Sequence, residues 1–164
     1  MVYLSLGTNI GNKEQNIRNA VNEISKQIGT VKSQSACFQT EPWGFQSSNS
    51  FLNACVEVET SLHPLELLDR CQEIERRMGR LQKSTRKTNA DGSQTVVYHD
   101  RIIDIDILLY DELIIRTPRL TIPHPLMTKR RFVMEPLAQI AYNLNIPGTT
   151  MSAGEIFNAL AASE

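Results

Sequence analysis

The 164-residue chain is 41% hydrophobic and 21% charged with a formal net charge of −1, the composition of one globular domain that can bury a core without staples. This balance excludes the broad basic field of a non-specific nucleic-acid binder, so an anionic partner has to be met by local clusters. No stretch approaches membrane-spanning length, and Cys37, Cys55 and Cys71 are too scattered for a disulfide framework or a zinc site, so they are expected as buried, reduced thiols of a cytoplasmic protein.

The opening MVYLSLGTNIG has no basic region ahead of its short apolar run and reads as a first strand rather than a signal peptide, broken at Gly7-Thr8-Asn9. Gly7 to Lys13 imitates a phosphate-binding loop, but the spacing is wrong and no hydroxyl follows the lysine, which leaves a structural turn. A helix follows over 13–28, with Asn12 as N-cap, a stripe of Ile17, Ala20, Val21, Ile24 and Ile28, and Gly29 as its stop. A strand is expected over 31–39 and a clearer one over 51–60, where Leu52, Ala54, Val56 and Val58 alternate against Asn53, Cys55, Glu57 and Glu59. Pro64 opens a second helix reaching about residue 79, with Leu65, Leu68, Ile74 and Met78 inward.

Residues 82–100 are mostly polar and read as a long, flexible loop with at most a brief hairpin near 95–98, the kind of connection that serves as a lid. RIIDIDILLY, 101–110, is a strand, followed by a turn at Tyr110-Asp111-Glu112, a short strand over 113–115 and a helix over 132–141. Ser152 and Glu155 form a capping box for a last helix. This order predicts an α+β fold with a mainly antiparallel sheet covered by helices, a ferredoxin-like sandwich in a single domain.

Residues two apart on a strand share a face, which puts Asp104 and Asp106 about 6.5 to 7 Å apart on the side opposite Ile103, Ile105 and Ile107. Two adjacent carboxylates repel unless a cation lies between them. Magnesium suits such a pair because it takes few protein carboxylates and completes its shell with water and phosphate oxygens. Two such ions can hold both sides of a phosphoryl displacement. The alternative is that the acids face solvent on an edge strand, paired with Arg101 or a lysine, and the pattern alone leaves both open.

Basic residues cluster around the acids: Arg80, Lys83, Arg86, Lys87 and Arg101 flank the polar loop, and Lys129, Arg130 and Arg131 follow the PHP turn. Singly, each reads as solvated surface; together they suit a triphosphate. A planar group comprises TEPWGF at 40–45, then Phe51, Asn53 and Phe132. It would make a stacking slot with fixed polar partners for a heterocycle, or an ordinary loop anchor over the core.

RIIDIDILLY together with IPHPLM, IERRMGR, FQTEPWG and FLNACVEVET, and with SLGTNIGN near the start, resembles the 6-hydroxymethyl-7,8-dihydropterin pyrophosphokinase family of folate biosynthesis along nearly the whole chain. The resemblance implies a ferredoxin-like fold that binds Mg-ATP and a reduced pterin, and transfers pyrophosphate to the pterin hydroxymethyl with release of AMP. It implies two magnesium ions on Asp104 and Asp106, with Arg80 and Arg101 neutralising the triphosphate. Glu75, Lys83, Ile107, His124 and Arg130 would complete the ATP site. Thr40, Pro42, Trp43, Gly44, Phe51, Asn53 and Phe132 would hold the pterin.

Partners are then expected to be small molecules, with neither nucleic acid nor membrane among them; a monomer is expected, and association with other folate enzymes is left open. Two departures from the family pattern are the run Tyr98-His99-Asp100 ahead of Arg101, where a small residue and proline are common, and Gln82 in place of a further arginine. The rivals are a nucleotidyl transferase or cyclase, which would use a nucleotide without a pterin, and a non-catalytic binding module.

Overall fold

The computed structural model describes residues 1–40, 50–79, 84–88, 90–91, 94–98 and 102–163, with 84–88 and 94–98 as backbone. In chain order it holds β1 (Val2–Thr8), α1 (Lys13–Gln27), β2 (Thr30–Gln34), β3 (Phe38–Thr40), β4 (Phe51–Glu59), α2 (Pro64–Arg77), β5 (Ser84–Thr88), β6 (Gln94–Tyr98), β7 (Asp104–Tyr110), β8 (Ile115–Arg116), β9 (Thr121–Ile122), α3 (Arg131–Ala141) and α4 (Ala153–Ala162). A five-stranded sheet runs β2-β4-β1-β7, with β3 also paired to β4, and every pairing in it is antiparallel. Its sheet-and-helix architecture is the expected α+β sandwich.

Alternation along the strands sorts the sheet into two faces. On one, Leu4, Leu6, Ala54, Val56, Val58, Ile105 and Ile107 pack under Ile17, Ala20 and Ile24 of α1 and Leu67, Cys71 and Ile74 of α2. On the other, Tyr3, Cys55, Leu108 and Leu109 pack under Val133, Met134 and Leu137 of α3 and Ile156 of α4. Helices thus cover both sides of the sheet, and the second pair covers its side only in part.

The helix signals act as local chemistry requires. Asn12 accepts a hydrogen bond from the Gln15 N–H (3.1 Å). Ser152 accepts from the Glu155 N–H (3.2 Å) while the Glu155 carboxylate accepts from the Ser152 N–H (3.0 Å), which closes the capping box. The turn between β1 and α1 is held by side-chain hydrogen bonds. The Asn16 amide donates to the Ile10 carbonyl (2.8 Å) and the Thr8 hydroxyl (3.1 Å), and the Lys13 ammonium donates to the Ser50 carbonyl (3.0 Å).

Several expectations change. β1 does not break at Gly7 but continues through Thr8, because both residues are paired to β4. The strand expected over 31–39 is two, β2 and β3, separated where Ser35 turns its hydroxyl back to accept from the Cys55 N–H (2.9 Å). In β4 the side read as polar is solvated only toward its end: Asn53 and Cys55 are buried, while Glu59 is exposed. On α2, Leu65 points outward at 47% exposure, since Leu67, Cys71 and Ile74 already form the stripe facing the sheet and Leu65 lies far around the helix from it. Cys37 is exposed, between β2 and β3. Within 82–100, the described residues form a hairpin, β5 with β6, in place of an unstructured connection. The short strand after β7 falls at Ile115–Arg116, paired with β9.

Gly29 does end α1, but through space rather than through a left-handed backbone. A Cβ there would lie 2.0 Å from the Glu59 carbonyl oxygen and 3.1 Å from the Thr60 Cα. Main chain cannot step aside as a flexible side chain does. Gly29→Ala is therefore expected to destabilise the fold by about 3 kcal/mol, read as a lower urea midpoint; an unchanged midpoint would contradict this account of the α1 stop.

Candidate active site

Directly opposed residues of an antiparallel pair share a face. Gly7 of β1 opposes Asn53 on β4 and Asp104 on β7, and Asn53 opposes Phe38 on β3. One step along, Ser5 opposes Cys55 and Asp106. With strands about 4.8 Å apart, Asn53 and Asp104 are separated by roughly 10 Å across a strand whose residue between them has no side chain. The sequence therefore places an amide and a pair of carboxylates on one sheet face, on either side of a bare strip of β1.

That face is the one α3 and α4 only partly cover. Their buried apolar contacts fall on Tyr3, Cys55, Leu108 and Leu109, and α3 also lies against β3. A register irregularity between Tyr3 and Leu4 lets β7 bring both Leu108 and Leu109 to this cluster, while Asp104 and Asp106 stay half-buried beyond it.

On β4, Asn53 is 4% exposed and its Nδ2 donates to the Thr40 hydroxyl on β3 (3.0 Å). That bond fixes the amide so that its Oδ1 lies toward Gly7, at 3.2 Å from where a Cβ on that residue would sit. Phe51, two residues earlier on the same face, opposes Thr40 and is half-buried.

β7 is the last strand of the sheet, so its outward N–H groups need partners from elsewhere. Glu75 supplies one. It is 8% exposed on α2, and its Oε2 accepts from the Ile105 N–H at 2.8 Å, at the residue between the two acids. His124, half-buried after β9, donates its N–H to the Leu108 carbonyl (3.0 Å), and its Nδ1 accepts from the Leu126 N–H (3.3 Å). An accepting Nδ1 places the ring proton on Nε2. Arg130, at the N-cap of α3, sets its guanidinium over the Phe132 ring, 5.6 Å from the centroid, and Phe132 packs partly buried on the second core.

Of the residues expected at a site, Thr40, Phe51, Asn53, Asp104 and Asp106 come together on one sheet face, Glu75 and His124 bond to β7, and Arg130 and Phe132 sit together at the start of α3. Ile107 does not join them: it is 4% exposed, with its side chain in the core under α1 and α2, which confines any contribution to its main chain. Pro42, Trp43, Gly44, Arg80, Lys83 and Arg101 lie outside the described residues. Gly7 and Ser5, the small residues between the acids and the amide, were not singled out for a site. The signal for them was the alternation Tyr3, Ser5, Gly7 in VYLSLGT, once the strand is carried through the glycine.

The buried thiols Cys55 and Cys71 offer no nucleophile. Burial pushes the Cys55 thiol far up, and burial followed by the negative charge of Glu75 and Asp106 does the same to Cys71. Among the described residues, no group of three or more His, Cys, Asp or Glu is arranged to hold a metal. The pair Asp104 and Asp106, with only oxygen donors, fits a hard cation that takes its remaining ligands from water and phosphate.

Glu75→Ala would leave the Ile105 N–H buried without this acceptor, at an expected cost of about 1 to 3 kcal/mol in urea unfolding, and Glu75→Gln, which keeps a carbonyl oxygen, should recover most of it. Equal stability of the alanine variant and the native protein would count against the edge-capping role.

The family model for 7,8-dihydro-6-hydroxymethylpterin-pyrophosphokinase (HPPK) matches residues 3–142. The chain is 42% identical over 142 residues to the 2-amino-4-hydroxy-6-hydroxymethyldihydropteridine pyrophosphokinase of Porphyromonas gingivalis, covering 86% of this chain and 90% of that one. It is 36% identical over 151 residues to the enzyme of the same name from Bacillus subtilis, covering 92% and 83%. A crystal structure of Plasmodium falciparum HPPK-DHPS wild type with pteroate superimposes with a TM-score of 0.74 at 15% identity, over 98% of this chain and 44% of that one, a likeness of fold. The chain belongs to the 7,8-dihydro-6-hydroxymethylpterin-pyrophosphokinase family, enzymes of folate biosynthesis that transfer a pyrophosphoryl group from ATP to hydroxymethyldihydropterin.

Proposed function

We propose that the strip of the sheet between Asn53 and the two acids is where this transfer takes place, in one catalytic domain, with Asp104 and Asp106 holding two magnesium ions. The observation that carries the proposal is the shared row of Asn53, Gly7 and Asp104, with Asp106 one step along the same face. Thr40, Phe51 and Asn53, with Pro42, Trp43, Gly44 and Phe132, would bind the pterin. Arg80, Lys83, Arg101, His124 and Arg130 would bind the phosphates of ATP, with Glu75 holding the β7 edge beneath them and Ile107 contributing main chain.

In the reaction, the pterin hydroxyl oxygen forms a bond to the β-phosphorus as the bond from that phosphorus to the α–β bridging oxygen breaks. AMP leaves with the bridging oxygen and the hydroxyl proton passes to solvent. Bound magnesium would neutralise the triphosphate and favour ionisation of the attacking hydroxyl. The chain's own part is positioning. Asn53, locked by Thr40, presents one fixed acceptor to the edge of the heterocycle, and a ring so oriented aims its substituent along the row toward the acids. Arg130, spread over Phe132, has its guanidinium pre-ordered for phosphate oxygens. His124, with its Nδ1 already accepting, presents a donor on Nε2. Charge neutralisation and alignment are what phosphoryl chemistry chiefly asks of a protein.

The test is AMP release from ATP in the presence of magnesium and 6-hydroxymethyl-7,8-dihydropterin. Asp106→Ala is expected to fold normally by circular dichroism and to lose roughly a thousandfold in turnover, and chelation of divalent cations should abolish AMP release until magnesium is restored. Near-native turnover by Asp106→Ala, or activity that survives chelation, would sink the metal assignment.

A further inference from the structure

We propose that Gly7 determines specificity for the pterin, its missing side chain forming the floor over which the hydroxymethyl end of the substrate passes from Asn53 toward the two acids. This rests on the pterin assignment of Asn53 and Phe51 made above.

Gly7 is the one residue of β1 that is not buried. In a strand otherwise enclosed on both sides, it leaves a patch of uncovered main chain, and it does so on the face that carries the amide and the acids. Its cross-strand partners are Asn53 on one side and Asp104 on the other, so whatever reaches from one to the other crosses it. A Cβ on Gly7 would enter that space, 3.2 Å from the Asn53 Oδ1 and 3.9 Å from the Phe51 Cδ1, two of the residues assigned to the ring.

The glycine is not required by its backbone. Gly11, Gly79 and Gly148 have positive φ, and Gly7 is not among them; it is an ordinary strand residue that any side chain could occupy conformationally. A glycine inside a paired strand gives up both chain entropy and packing, and where no bulge or bend needs it, it marks a close approach by another group. Among the described residues, no main chain lies within 4 Å of its would-be Cβ; the two neighbours are side-chain atoms of the proposed slot. The span of roughly 10 Å from Asn53 to Asp104 suits a bicyclic ring with a one-carbon arm lying flat along the row. A methyl group raised from its midpoint would lift the arm away from the acids or push the ring edge off Asn53.

Steady-state kinetics of Gly7→Ala and Asn53→Ala, with each substrate varied against saturating amounts of the other, separates the possibilities. Gly7→Ala is expected to raise KM for 6-hydroxymethyl-7,8-dihydropterin roughly tenfold or more, with KM for ATP and the thermal midpoint close to native. If Asn53→Ala raises the pterin KM and Gly7→Ala does not, the Gly7 inference is overturned and the pterin assignment stands. If Asn53→Ala leaves the pterin KM unchanged, the assignment falls and takes the inference with it. Native protein supplies a check that needs no variant: the Gly7 α-proton resonances should shift on adding the pterin with a non-hydrolysable ATP analogue, through the ring current of a heterocycle lying over them. Unmoved Gly7 resonances under saturating pterin would overturn the proposal.

Discussion

β1 is hydrogen-bonded along both sides, and the layout of the molecule depends on that double pairing. Side chains alternate along a strand, so a slip of one residue in either ladder would exchange the two faces of a whole strand. Leu4 and Leu6, facing α1 and α2 with Ala54, Val56, Ile105 and Ile107, hold the register by burial. Such a slip at β7 would send Asp104 and Asp106 into that core, and unpaired carboxylates are costly there. The hydrophobic side of the sheet thereby determines where the acids go.

The two faces have different tasks. One is covered by α1 and α2 and supplies the larger core. The other carries a smaller core, in which α3 and α4 pack on Tyr3, Cys55, Leu108 and Leu109. The Tyr3 hydroxyl donates to the Glu57 carboxylate (2.6 Å) in this covered part, and burial, then the bond to Glu57, pushes its pKa up. Beyond it the face carries Ser5 and Gly7 between larger neighbours. Small residues there keep the strip shallow, while anchored polar groups stand on both sides: the amide tied to Thr40 and the carboxylates on a strand whose outer edge is tied to Glu75.

What was legible in the sequence follows the range of the physics. RIIDIDILLY sorts its acids from its isoleucines by alternation alone, and Asn12, Ser152 and Glu155 cap helices within one turn of themselves, so these features were readable. The burial of Asn53 and Cys55 on the polar face of β4 is not legible locally, because their cover, α3, comes some eighty residues later in the chain. Among Leu65, Leu67 and Leu68 composition does not say which faces the sheet; packing against α1 and β7 does. Gly29 looked like a helix stop and is one, but its reason is the Glu59 carbonyl, a strand away. At the site, both acids and the amide could be read from their strands, whereas the bond from Glu75 to Ile105 joins residues 30 apart and was not visible, nor was Gly7, which local rules mark as a break.

The Glu75 bond has a consequence for the chain in company. An edge strand offers its outward N–H groups to any extended segment that passes, and strand addition to such an edge is a route to aggregation. At Ile105 that offer is already taken by a carboxylate from the neighbouring helix, and at Leu108 the carbonyl is taken by the His124 N–H. A second copy of the chain cannot pair across these positions without first breaking them. The groups that keep Asp104 and Asp106 in register thus also keep the sheet from growing.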